Sequence, residues 1–166
     1  MDFPTHLYID GALVKGTGQR DIVNPATEEV LVTVSTAGFD DVERALQAAN
    51  AAFPAWASTS VATRQMWMRR LRDEVIVNQT FLRDCVHHEM GKPWAQTEED
   101  WDRLVASLDY YAEEIARVSD YGIADRAGTH NHRMVYESAG VAVAFLAWNF
   151  PLLNLAFKIG PAMAAG

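Results

Sequence analysis

The residues most capable of chemistry lie in the stretch Phe145-Leu146-Ala147-Trp148-Asn149-Phe150-Pro151, where one uncharged amide sits between two aromatics and a proline. An Asn amide carries two N–H donors that do not titrate in water. It can therefore hydrogen-bond an oxyanion that develops during carbonyl chemistry without surrendering a proton to it. The same residue type is also among the best helix N-caps, its side-chain oxygen accepting a backbone N–H. The two roles use different atoms of Asn149, and the residues alone leave both open.

Lys158 is the second candidate. Its neighbours Leu155, Ala156, Phe157, Ile159 and Met163 make the helix apolar nearly all round, the pattern of a buried helix. A buried ammonium needs a partner, whereas a Lys on an ordinary helix snorkels to the surface. His87-His88-Glu89 and His130-Asn131-His132 hold ligand-type side chains but lack the spacings that make metal sites specific, so no metal is expected. Cys85 lies on the apolar stripe of its helix, where a free thiol is commonly buried and inert. Phosphate-cradling fingerprints are absent, since "GTGQRD" lacks the third Gly and "GPAMAAG" lacks the Lys-Ser/Thr pair.

These groups need a frame. The 166 residues are 49% hydrophobic and 22% charged, enough for a globular core. With 14 Lys and Arg against 22 Asp and Glu, the formal charge is −8, and no basic stripe is present. Nucleic acid and anionic membrane surfaces are therefore not expected partners. No signal peptide and no membrane span is read, and one Cys forms no internal disulfide, so the expected location is cytoplasmic.

Asp10-Gly11 between two apolar runs predicts a hairpin, and Asn24-Pro25-Ala26-Thr27 predicts a turn between Ile22-Val23 and the run Val30 to Thr36. From Asp40 the period becomes helical, with Asp40 and Glu43 resembling a capping box and Pro54 ending the helix. Helices are expected from Ser60 to about Val77 and from Gln79 to Met90, the second stopped by Gly91-Lys92-Pro93. Thr97 with Asp100 opens the longest helix, whose stripe runs Trp101, Leu104, Val105, Leu108, Ala112, Ile115 and Val118. The run from Ser119 to His132 is polar, and "RMVYES" and "VAVAFLA" are expected strands, the second buried on both faces. A helix starting at Pro151 completes the pattern. A buried strand followed by a helix is two-thirds of a βαβ unit, so the chain reads as a fragment of a longer α/β protein that stops in mid-domain.

At this point "GVAVAFLAWNFPLLNLAFKIGPAMAAG", residues 140 to 166, resembles the aldehyde dehydrogenase superfamily, whose members carry W-N-[FY]-P, then a Lys, then Gly-Pro-Ala-Leu-Ala-x-Gly. "NPATEEVLVTVS" resembles the family's N-P-A-T-G-E segment and "HHEMGKPWAQTEED" its E-x-G-K-P helix end. The resemblance implies an α/β fold with β-hairpins, helices and the start of a doubly wound parallel sheet, incomplete at the C-terminus. It implies that residues 1–124 are part of an NAD(P)-binding domain, that 125–138 begin an oligomerisation arm, and that 139–166 continue the NAD(P)-binding domain.

The implied chemistry is oxidation of an aldehyde, with a semialdehyde such as succinate semialdehyde among the candidate substrates, to an acid through a Cys thiohemiacetal, with NAD or NADP as cofactor. Asn149 would be the oxyanion donor, and Lys158 would match a buried Lys near the active site. Phe145, Leu146, Ala147, Trp148 and Asn149 would lie along the cofactor. The Cys nucleophile and general-base Glu are expected beyond residue 166, so these residues alone are expected to be inactive, and the full-length protein to be a homo-oligomer, dimer or tetramer. The family usually has Thr-Pro before the Trp; here Leu146-Ala147 replaces that rigid dipeptide. The alternative is a non-catalytic truncated paralogue that pairs an exposed sheet edge with a partner.

Overall fold

The computed structural model describes residues 3–166; Met1 and Asp2, which open the segment expected as the first domain, lie outside the described residues. The N-terminal hairpin forms as expected: β1 (Leu7–Ile9) pairs antiparallel with β2 (Ala12–Val14), and Asp10 and Gly11 turn between them at φ 52° and 75°. Two positive φ values in succession are what a two-residue hairpin turn of this twist requires. β3 (Gly18–Val23) pairs with β4 (Val30–Thr36), and in their connection Asn24 accepts the Ala26 N–H through its side chain at 2.9 Å.

α1 (Phe39–Ala57) begins two residues earlier than a capping box of Asp40 and Glu43 would place it. Its N-cap is Gly38, and the reciprocal acceptor is Asp41, which takes the Gly38 N–H at 2.9 Å and the Thr17 N–H at 3.2 Å. With Arg44 at 2.6 Å, these donors hold the Asp41 carboxyl down at about 2. Asp41 therefore ties the β2–β3 connection to the start of α1. Pro54 does not end the helix, which continues to Ala57; the missing N–H costs one rung of the ladder and the last turn still closes, Ser58 donating to the Pro54 carbonyl.

α2 (Val61–Val77) is capped by Ser60, which accepts the Thr63 N–H. α3 (Gln79–Met90) ends at Gly91, left-handed at φ 74°, where a Cβ would come within 2.8 Å of the Pro25 ring. Only glycine serves both the cap and this approach. α4 (Trp94–Glu114) starts earlier than expected and passes at Ile115–Arg117 into a 3₁₀ turn, so the stripe to Val118 spans more than one element. β5 (Tyr121–Ile123) then pairs with β6 (His132–Met134), placing a strand in the stretch read as merely polar. α5 (Pro151–Ala165) follows, with Pro151 in its first turn.

The core is helical. Met68 of α2, Val86 of α3, Leu104, Leu108 and Ala112 of α4, and Leu152 and Ala156 of α5 are buried together. α4 lies between its partners, and Gly160 of α5 lets Tyr111 of α4 approach so closely that a Cβ there would meet the ring at 2.5 Å. The α5 C-terminus is tied down by Trp56, whose indole donates to the Met163 carbonyl at 3.1 Å, and by buried Arg64, which donates to Ala164 at 2.9 Å.

The run 141–147, expected as a strand buried on both faces, forms no strand and joins no ladder among the described residues. Its hydrophobicity marks surfaces that need covering, and nothing within the described residues covers them: Val143 is 67% and Phe145 86% exposed. No described helix is long and apolar enough to cross a membrane.

Candidate functional site

The site gathers where the run 141–150 meets α5. Phe150, not Asn149, is the N-cap residue of α5, with φ −141° and ψ 70°, and no side chain of the cap position closes the helix. The capping reading of Asn149 therefore does not hold. Among the described residues Asn149 makes no side-chain hydrogen bond and is exposed, so both amide N–H groups are available. The first turn is instead held by Asn154, which donates to the Phe150 carbonyl at 2.8 Å, and by a carboxylate from a different helix.

That carboxylate is Asp100 of α4, fully buried, whose Oδ1 accepts the Leu153 N–H of the first turn of α5 at 3.0 Å. An anion at a helix N-terminus satisfies an orphan donor and meets the positive end of the dipole. Its other oxygen lies 3.7 Å from Lys92 Nζ, and the Lys92 ammonium, 8% exposed, sits 3.7 Å over the Phe150 ring. In the sequence Lys92 stands in a helix stop and Asp100 at a helix start, both within the segment that resembles the family's E-x-G-K-P helix end, and neither is a candidate site residue there. The available signal was the position of Asp100, one turn before Leu104 on the buried stripe of α4, where an acid needs a partner.

Lys158, expected on a buried helix, is exposed together with Phe157 and Ala162. One face of α5 packs on α4 and α2; the face carrying Lys158 is left open, about 10 Å along the helix from Pro151 at 1.5 Å per residue. Phe145 (86% exposed) and Trp148 (78% exposed) lie in backbone that joins no ladder among the described residues.

Behind Trp148 lies a cavity of about 330 Å³ lined by Cys85, Val86, Glu89, Met90, Trp148, Pro151 and Leu152. Burial, then the nearby Glu89 and Asp84 charges, pushes the Cys85 thiol up to about 11, so it is neutral at physiological pH and a poor nucleophile. Glu89 is itself raised by burial. His130 and His132 stack at 5.8 Å on the β5–β6 ribbon, and no cluster of three or more metal-ligating side chains exists among the described residues.

Residues 13–166 match the sequence profile of the aldehyde dehydrogenase family. The chain belongs to that family. It is 32% identical to the D-glyceraldehyde dehydrogenase (NADP(+)) of Thermoplasma acidophilum, over 98% of this chain and 33% of that protein. It is likewise 32% identical to the glutarate-semialdehyde dehydrogenase of Pseudomonas aeruginosa, over 99% of this chain and 34% of the relative. Its fold superimposes on a betaine aldehyde dehydrogenase from Staphylococcus aureus solved with NAD+, at a TM-score of 0.93 and 30% identity, covering 99% of this chain and 34% of the other. The chain thus spans about a third of the length of the aldehyde dehydrogenases it matches.

Proposed function

We propose that these residues are the N-terminal portion of an NAD(P)-dependent aldehyde dehydrogenase and that Asn149 is its oxyanion donor. The single observation that carries the reading is an amide at the mouth of α5 that neither caps the helix nor bonds any other described side chain. A polar side chain that stabilises nothing within its own fold is available to a reacting group. When a nucleophile adds to an aldehyde, the carbonyl oxygen gains a full negative charge. The Asn149 amide can donate to that oxygen, and because it does not titrate it holds the charge without protonating it.

The nucleophile expected for such an enzyme is a Cys outside these residues, since Cys85 is a neutral thiol in an apolar cavity. Phe145, Leu146, Ala147 and Trp148 are proposed to hold NAD or NADP, a role that fits their unladdered backbone and exposed side chains. When bound, the nicotinamide supplies the hydride acceptor. Leu146-Ala147 leaves this stretch less rigid than an X-Pro dipeptide would. Lys158, on the open face of α5, is proposed to act from the same side as a polar contact near the site. Segments 1–124 and 139–166 are proposed as parts of the cofactor domain and 125–138 as the start of an oligomerisation arm, with a homo-oligomer as the assembled form.

The test is to supply the full-length protein with D-glyceraldehyde, glutarate semialdehyde and betaine aldehyde, each with NAD+ or NADP+, and follow reduced cofactor. Aldehyde-dependent reduction is expected with at least one pair. A folded full-length protein that reduces neither cofactor with any aldehyde contradicts the reading and favours a non-catalytic assembly module.

A further inference from the structure

We propose that Lys92 and Asp100 form a positioning pair that aims Asn149, and this rests on the reading of Asn149 as the oxyanion donor. The pair grips the two residues that bracket the turn after Asn149. Asp100 Oδ1 accepts the Leu153 N–H at 3.0 Å, fixing the first turn of α5 to α4. Lys92 Nζ, 3.7 Å above the Phe150 ring, fixes the side chain next in sequence to Asn149. Phe150 supplies no side-chain cap and the Asn149 side chain makes no hydrogen bond among the described residues, so the direction of the amide is set by how its neighbours are held.

Burial makes the arrangement purposeful. Asp100 is 0% and Lys92 8% exposed, and among the described residues neither the Lys92 ammonium nor Asp100 Oδ2 has a hydrogen-bond partner; they face each other at 3.7 Å. A carboxylate alone beneath the N-terminus of α5 would oppose a second negative charge forming beside Asn149. Lys92 neutralises it, so the pair orients the amide while leaving the local field free to favour an oxyanion. The cation over the Phe150 face adds a directional contact that a methyl or methylene could not make. Pairing through a ring and a backbone amide, rather than through Asn149 itself, keeps both amide protons for the substrate.

The experiment is a double-mutant cycle on the full-length protein, Lys92→Met alone, Asn149→Ala alone and the two combined. Misplacing a catalytic group by about 1 Å costs up to about 100-fold, so Lys92→Met is expected to lower kcat by about 10- to 100-fold while the dissociation constant for the cofactor stays within about 2-fold. In the Asn149→Ala background the same change is expected to cost nothing further, because the group it aims is gone. Equal losses in both backgrounds, or no loss in the first, overturn the proposal. Should Lys92→Met not fold, Lys92→Met with Asp100→Asn, which removes both buried charges at nearly constant shape, goes through the same cycle with the same two outcomes.

Amide hydrogen exchange of Leu153 and Asn154, whose N–H groups donate to Asp100 and to the Phe150 carbonyl, gives a readout independent of turnover. Lys92→Met is expected to speed exchange there by about 10-fold, and unchanged exchange overturns the positioning role. A wild-type protein that oxidises no aldehyde, yet shows faster exchange in the variant, refutes the enzymatic reading and leaves the positioning contact standing.

Discussion

Removing Asp100 as a side chain, by Asp100→Ala, perturbs two contacts at once. The Leu153 N–H loses a charged acceptor at 3.0 Å, and the Lys92 ammonium is left buried with no counter-charge. A hydrogen bond to a charged group contributes about 1.5–3 kcal/mol, and breaking a buried ion pair from one side costs about 3–5 kcal/mol in all. The two figures overlap, since both count donors stranded by loss of the same carboxylate, so the expected loss is about 3–5 kcal/mol. Against a typical stability of about 5–15 kcal/mol that is a large share.

Equilibrium urea unfolding followed by circular dichroism reads it as a fall in midpoint at constant slope. Lys92→Met combined with Asp100→Asn separates charge from packing, because Asn keeps an acceptor for Leu153 and Met fills the lysine stem. It is expected to lie within about 1.5 kcal/mol of wild type, since neutralising both members of a buried pair is often neutral. A loss below about 1 kcal/mol for Asp100→Ala, or a double variant as unstable as Asp100→Ala, would refute the reasoning that Asp100 and Lys92 balance each other.

Leu108→Ala, at a fully buried position of α4, is expected to cost about 2–5 kcal/mol in the same unfolding measurement. Asp41, held at about 2 by Gly38, Arg44 and Thr17, stabilises the fold above its ordinary value of 3.8, and that contribution disappears as pH falls through about 2. Asp41→Asn should therefore lower Tm at pH 7, with the gap from wild type closing as the pH approaches 2. Cys85, raised from 9.0 to about 11, carries roughly 100-fold less thiolate at pH 8 than an unperturbed thiol, so iodoacetamide labelling of its peptide, followed by mass spectrometry, should be slower by about that factor.

Local signals in the sequence resolved local structure well. Asp10-Gly11, Ser60, Gly91 and Pro151 each act where their backbone preferences place them, because turns and caps depend on a few adjacent residues. Asp40 and Glu43 point to the helix start but lie two residues past the observed box of Gly38 and Asp41, since Asp41 is drawn to N3 by donors on Gly38 and, 24 residues away, Thr17. The strand β5 escaped notice because its three residues pair with His132–Met134 across a polar turn, a contact no short window contains.

Hydrophobicity was legible as a demand for cover but not as its source. Val141–Ala147 and the Phe157–Lys158 face of α5 are apolar enough to be buried, yet both are open among the described residues. The chemistry followed the same division. Asn149 stood out by its own type and place, whereas Lys92 and Asp100 acquire meaning only when α4 packs on α5 and brings them under Phe150 and Leu153.

The most direct measurement of the central claim is steady-state aldehyde oxidation by the full-length protein carrying Asn149→Ala. If the amide is the oxyanion donor, kcat falls by about 100- to 1,000-fold while unfolding stability is essentially unchanged, because Asn149 caps nothing in this fold. A kcat within a few-fold of wild type would contradict the account.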